Sequence, residues 1–172
     1  MHVTPHESVA VAVALVASVF DVRARRIPNV LTFGAAAAAL VASVATAGAA
    51  GAGTSAAGWL LALAIWLPIY ALGGMGAGDV KLMAAIGAWL GPVGGLVAAL
   101  YAGVAGAVMA AGVALASGSA RQTCSNVSLL MTHWRVAGFA PHAQLNLQSP
   151  TSAKLPYAVP ILAGTLLTIW LR

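Results

Sequence analysis

A chain of 172 residues that is 61% hydrophobic and only 6% charged, with a mean hydropathy of +0.94, lies far from soluble globular domains, in which roughly a quarter of residues are charged. Its net charge of +5 and pI near 10.2 would suit nucleic acid. The basic residues are scattered and not interleaved with aromatics, so no nucleic-acid partner is expected and anchoring of membrane loops accounts for them better.

The expected class is an all-α, polytopic membrane protein of about six helices forming a single membrane-embedded domain over 1–172, with the lipid bilayer as its surroundings. The apolar run from Val9 to Phe20 is followed, not preceded, by positive charges, the wrong polarity for a cleavable secretory signal. It reads as a first span, 4–22. That run is too short to cross roughly 30 Å of hydrocarbon, so the helix must take in Glu7 at its outer end, Asp21 at its inner end, or both.

From Arg26 to Asp79 no charged residue intervenes, which leaves room for two spans of about 20 residues. These are placed at 28–47 and 57–73, with the small-residue segment Ala47 to Gly58 as the turn. Between Lys81 and Arg121 the same reasoning gives spans 79–91 and 93–116, broken at Gly91-Pro92. A fourth helix that turns there spans only about 18 Å from Asp79, which would start Asp79 below the membrane surface. A sizeable polar loop, about 117–154, holds Cys124, read as a small loop residue; as the only cysteine it excludes an internal disulfide and a CxxC zinc site. The stretch Val127 to Phe139 in that loop is read as an interfacial helix. A sixth span covers 155–171.

Arg23, Arg25, Arg26, Lys81, Arg121, Arg135 and Lys154 fall on one side of six alternating spans. By the positive-inside rule that side is the cytoplasm. Both termini then face away from it, and Asp21 and Asp79 share the cytoplasmic end.

These two aspartates carry the chemistry. Only three acidic residues occur in the chain, and a carboxylate at the edge of a bilayer is costly enough to be a functional-site candidate. Peptide hydrolysis by two aspartates needs one protonated and one ionised carboxyl sharing a water, which like charges in a low dielectric arrange. Asp21 and Asp79 meet only if the first and fourth helices pack together. Which is acid and which is base stays open, because a coupled pair titrates as a unit. Asp79 also reads as a helix cap, and Asp21 as a partner for Arg23, Arg25 or Arg26. Gly76 and Gly78 accept positive φ and let a backbone come close, which suits a loop admitting an extended substrate. Neither metal nor other cofactor is expected, since His2, His6, His133 and His142 lack ligand spacing and two carboxylates leave too few ligands.

The segment Asp21-Val22-Arg23-Ala24-Arg25-Arg26-Ile27-Pro28-Asn29-Val30-Leu31-Thr32 resembles the first block of the type IV prepilin peptidases. Gly76-Ala77-Gly78-Asp79-Val80-Lys81-Leu82 is similar to their second, the G-x-G-D signature shared with presenilin-type intramembrane aspartyl proteases. Lys154-Leu155-Pro156-Tyr157-Ala158-Val159-Pro160-Ile161 resembles the proline-tyrosine block that opens their last helix. The blocks occur in family order, and with the six spans the resemblance covers essentially the whole chain.

The resemblance implies an aspartic endopeptidase of the bacterial cytoplasmic membrane that removes the short basic leader from prepilin or pseudopilin precursors, with Asp21 and Asp79 as the catalytic pair. The chain lacks the cysteine-rich N-terminal insert of the larger bifunctional members. It therefore looks like the peptidase-only branch associated with Flp-type tight-adherence pili, without N-methyltransferase activity. Arg26, Pro28, Asn29, Lys81, Pro156 and Tyr157 are supporting or substrate-contacting candidates. Pro28 suits the first turn of the second helix, Asn29 the nearby loop, and Lys81 either the aspartate pair, the substrate or the lipid interface. Pro156 and Tyr157 suit the entry of the last helix. Rival readings are a proton-coupled transporter, because intramembrane acids also relay protons, and a non-catalytic assembly subunit. A relay would favour acids near mid-membrane.

Overall fold

The computed structural model describes residues 3–138 and 155–171, and within them every regular element is helical. The helices are α1 (Pro5–Ala24), α2 (Asn29–Ala71), α3 (Ala77–Ala116), α4 (Ala120–Ala137) and α5 (Ala158–Trp170). Two of them, α2 and α3, are long and apolar enough to cross a membrane.

Neither α2 nor α3 is one straight rod. In α2 the dihedrals leave the helical region at Ala47 and Gly48, and Gly51 then lies against the backbone of Ser43, so arms 29–46 and 49–71 fold back on each other. Gly48 takes φ 58, ψ −140, a conformation open essentially to glycine. In α3 the reversal is at Gly91, φ 70 and ψ −179, followed by Pro92. Arms 77–90 and 92–116 then pack so closely that a Cβ on Gly95 would sit 2.9 Å from the Cα of Gly87.

The break at Gly91-Pro92 falls where the sequence places it; the other reversal falls at Ala47 and Gly48, inside the expected Ala47 to Gly58 turn but confined to its start. Residues 49–58, expected as part of a turn, are the first turns of the second arm of α2. Gly51 and Gly58 are small because they touch neighbouring backbone, of Ser43 and of Gly87 and Gly91. Packing outweighs the weak helix propensity of these residues. The loop after α3 contains a helix where one is expected, α4, but it starts earlier than Val127, at Ala120, and so carries the exposed Cys124 on a helix and not in a loop; Phe139 lies outside the described residues.

The first arm of α3 is central. Val80 and every residue from Leu82 to Trp89 are buried in it, with Leu82, Met83 and Ile86 among the largest enclosed side chains. Small residues are buried where the helices approach: Ala10, Ala14, Ala17 and Ser18 on α1, Gly58 of α2 against Gly87 of the first arm, and Gly164 of α5 against Ala98 and Ala102 of the second. Large apolar residues such as Val30, Val41, Leu100, Val108 and Leu115 face outward. Small inside and large outside is the packing of helices that associate by close backbone approach rather than by hiding apolar bulk from water. The buried hydroxyls of Thr165 and Thr168 donate to the carbonyls of Ile161 and Gly164, each at 2.8 Å, so α5 buries no unsatisfied hydroxyl.

Candidate active site

Asp21 lies near the end of α1 on the face that carries Ala10, Ala14, Ala17 and Ser18, and it is 7% exposed. Its Oδ2 accepts the backbone N–H of Ala158, the first residue of α5, at 3.1 Å. The carboxylate therefore occupies the N-terminus of a second helix, where free N–H groups favour an anion. Ser18, one turn earlier, has its Oγ 2.8 Å from the carbonyl of Ala14 and 2.9 Å from that of Ala158, tying α1 to α5 at the same level. Burying a carboxylate costs several kcal/mol, and one hydrogen bond to a charged group returns only about 1.5–3 kcal/mol. The position is not explained by stability.

Asp79 is the third residue of α3, partly buried. Its Oδ2 accepts the N–H of Gly76 at 3.2 Å, in the manner of a capping box, so Asp79 does cap its helix. That bond leaves Oδ1 without a hydrogen-bond partner among the described residues. The two glycines serve differently from expectation. Gly76 has φ −79 and Gly78 lies within α3, and neither takes positive φ; in this run only Gly73 does, at 78. A Cβ on Gly76 would lie 3.0 Å from Oδ2 of Asp79, and one on Gly78 would lie 3.3 Å from Cβ of Ile27. Gly76 makes room for the carboxylate, and Gly78 for the buried Ile27 of the α1–α2 connection.

The two carboxylates line one cavity of about 590 Å³. That volume is of the size that small-molecule sites occupy, about 300–1,000 Å³. Gly76, Gly78, Arg26, Pro28, Asn29 and Lys81 line it with them. Pro28 precedes α2 as its cap, with φ −63, and its carbonyl accepts the N–H groups of Leu31 and Thr32. Lys81 does not turn to the carboxylates: its Nζ donates to Oδ1 of Asn29 at 3.0 Å and stands 5.2 Å from the centre of the Phe33 ring. It thereby ties the start of α2 to the start of α3. Arg25 closes α1 in the left-handed region, φ 51, with its N–H on the carbonyl of Asp21, which turns the chain sharply toward Ile27. Pro156 and Tyr157 are not in the cavity wall. The Tyr157 hydroxyl lies over Gly106, and its ring meets Trp66 edge-on at 5.5 Å.

The profile of the type IV leader peptidase family matches residues 8–111. The chain belongs to this family. No curated protein and no solved structure matches it. The matched stretch contains both aspartates and the whole cavity lining, and it ends before Tyr157.

In this leader peptidase, three partners of the candidate pair escape a reading by residue type. Ser18 and Ile27 are ordinary side chains, and Ala158 acts through its backbone. One signal was available: Ala10, Ala14, Ala17 and Asp21 repeat at spacings of four, three and four, so the carboxylate continues a buried stripe. Nothing in the sequence pairs Asp21 with Ala158, 137 residues away.

Proposed function

We propose that this leader peptidase cleaves Flp-type prepilin precursors at the cytoplasmic membrane face through the pair Asp21 and Asp79. The observation that carries the reading is the convergence of the buried Asp21 and of Asp79 on one cavity. Water held between them loses a proton to the ionised carboxylate as its oxygen attacks the scissile carbonyl, whose oxygen is protonated by the neutral carboxyl. Collapse of the tetrahedral diol breaks the C–N bond: one diol hydroxyl gives its proton to the ionised carboxylate as the protonated carboxyl gives its own to the leaving amine, and the dyad returns to one proton shared by two carboxyls. Because a coupled pair titrates as a unit, the acid and base roles belong to the pair.

Both carboxylates accept a backbone N–H, from Gly76 and Ala158, and this supports a pair held by rigid helix ends. Asp21→Asn and Asp79→Asn each keep the shape and remove the titrating group. Each variant is expected to accumulate normally and to lose leader removal by about 10³-fold or more. Near-normal processing by either would remove that residue from the dyad, and unchanged cleavage with altered proton flux would favour a transporter.

We read the two arms of α2, the two arms of α3, α1 and α5 as six spans of one membrane domain. The outward large apolar residues support this, as does the gathering of Arg25, Arg26 and Lys81 at the cavity end. The chain level with Gly106 carries Tyr157, while α3 runs on to Ala116, about 15 Å further; this supports a dyad set below the cytoplasmic surface. Cysteine labelling is expected to reach positions 25 and 121 from the cytoplasm and position 48 from the opposite side, and labelling of 25 and 121 from different sides would refute the six-span reading. With α4 in its cytoplasmic loop, the chain forms a single peptidase domain that needs no cofactor.

A further inference from the structure

Although α1 and α2 leave the same short connection, they scarcely touch; α1 packs on α3 and α5, and α2 on α3. Between α1 and the first arm of α2 runs an open apolar trough of about 530 Å³, lined by Val9, Val13 and Phe20 on one side and Leu31 and Gly34 on the other, with Trp89 at its back. Phe20 and Pro28 line both this trough and the cavity of the two aspartates, so the two spaces adjoin across these side chains. From Phe20 to Val9 the trough follows α1 for about 17 Å, away from the carboxylates. A second apolar trough lies on the other side of the same arm, lined by Phe33, Ala37, Leu40, Trp59 and Leu60, and shares no residue with the aspartate cavity.

We propose that the α1–α2 trough is the docking site for an apolar helical segment of the substrate adjoining the scissile bond, so that this segment lies between α1 and α2 while the bond itself enters the aspartate cavity. This rests on the leader-peptidase reading above and adds a substrate subsite to it. The walls offer an occupant almost no hydrogen-bonding partner, so a peptide lying there must satisfy its own backbone, as an α-helix does. Its association would come from close packing, which Gly34 permits: a Cβ there meets nothing within 4 Å. Adjacency to the aspartate cavity selects the substrate over a bulk lipid chain, which would occupy the second trough equally well. A helix seated here would also fix the register of the bond presented to the dyad, which is how binding remote from the reacting atoms orients them.

The test uses the full chain in its native membranes with a co-expressed Flp-type prepilin. A photo-crosslinking phenylalanine analogue is placed at position 34 or, as the control, at position 37, in the Asp79→Asn background so that precursor remains uncleaved. Crosslinks from position 34 should map to an apolar segment of the precursor next to the cleavage site and exceed those from position 37 by about tenfold. In the otherwise unaltered enzyme, Gly34→Leu, placed where a Cβ meets nothing within 4 Å, should slow leader removal by about tenfold or more, and Ala37→Leu by less than about twofold. Crosslinks to lipid alone, equal yields at the two positions, or equal rates for the two leucine variants would overturn the proposal. Those results would leave the dyad standing, because its own failure appears separately, as processing by the Asp→Asn variants.

Discussion

Glycine does two kinds of work in this molecule, and the contrast separates fold from site. Where the arms of α2 and α3 cross, Gly58, Gly87 and Gly95 put backbone against backbone, and a Cβ on Gly58 or Gly87 would run into a carbonyl that has no freedom to move. At the start of α3, Gly76 and Gly78 face side chains instead: the Asp79 carboxylate and the branched body of Ile27. The crossing is a condition for the helices to assemble at all. The G-x-G-D run is a condition for where one carboxylate points.

If that distinction holds, substitutions in the two places fail in different ways. The largest effect is expected at the crossing. Gly87→Val overfills a contact that cannot relax, at a cost of about 1–3 kcal/mol or more, and the amount of protein in the membrane should fall several-fold. Gly53→Val, where a Cβ meets nothing within 4 Å, should change neither amount nor activity. Equal accumulation of these two variants, measured by immunoblot of membrane fractions, would erase the distinction from the side of the fold.

A smaller effect on amount and a specific one on rate are expected at the site. Gly78→Val should accumulate normally but cleave about 10–100-fold more slowly, because pushing the 25–28 connection away from α3 by a fraction of an ångström misplaces one carboxyl against the other. Ile27→Ala, by removing the atoms that the new valine strikes, should recover much of that loss in the double variant. A double variant no faster than Gly78→Val alone would show that Gly78 serves something other than room for Ile27.

The smallest effect belongs to the link across the cavity mouth. Lys81→Met removes a 3.0 Å hydrogen bond to Asn29 and a cation over Phe33, interactions worth about 0.5–1 kcal/mol at a partly exposed site. Leader removal should slow by less than about fivefold. A loss as large as that of the aspartate variants would mean that Lys81 acts on the substrate or the dyad and not only on the helix ends.

Much of this architecture was legible along the chain. Long uncharged stretches marked the apolar segments, and Gly91-Pro92 marked a reversal because proline cannot continue the first arm and glycine alone accepts φ 70. The 47–58 segment was legible only as small, since small residues make turns and close helix contacts equally well; the neighbours, Ser43 and Gly87, decide between the two. In the loop after α3 a helix was legible from Val127 onward through Leu130, Met131 and Trp134, but not its first turns from Ala120, where Arg121, Gln122, Thr123, Ser125 and Asn126 carry no apolar stripe.

The sequence by itself determined that this chain is all-helical and apolar, that its acids are few, and that two of them stand at helix ends beside basic residues, because composition and charge spacing do not depend on how the helices pack. The tertiary structure decided that those acids face one cavity, that the N–H of Ala158 meets Asp21 and that of Gly76 meets Asp79, and that an apolar trough adjoins the same cavity at Phe20 and Pro28. Each of these depends on which small residues let which helices approach, and such contacts join positions far apart in the chain through backbone atoms that every residue shares.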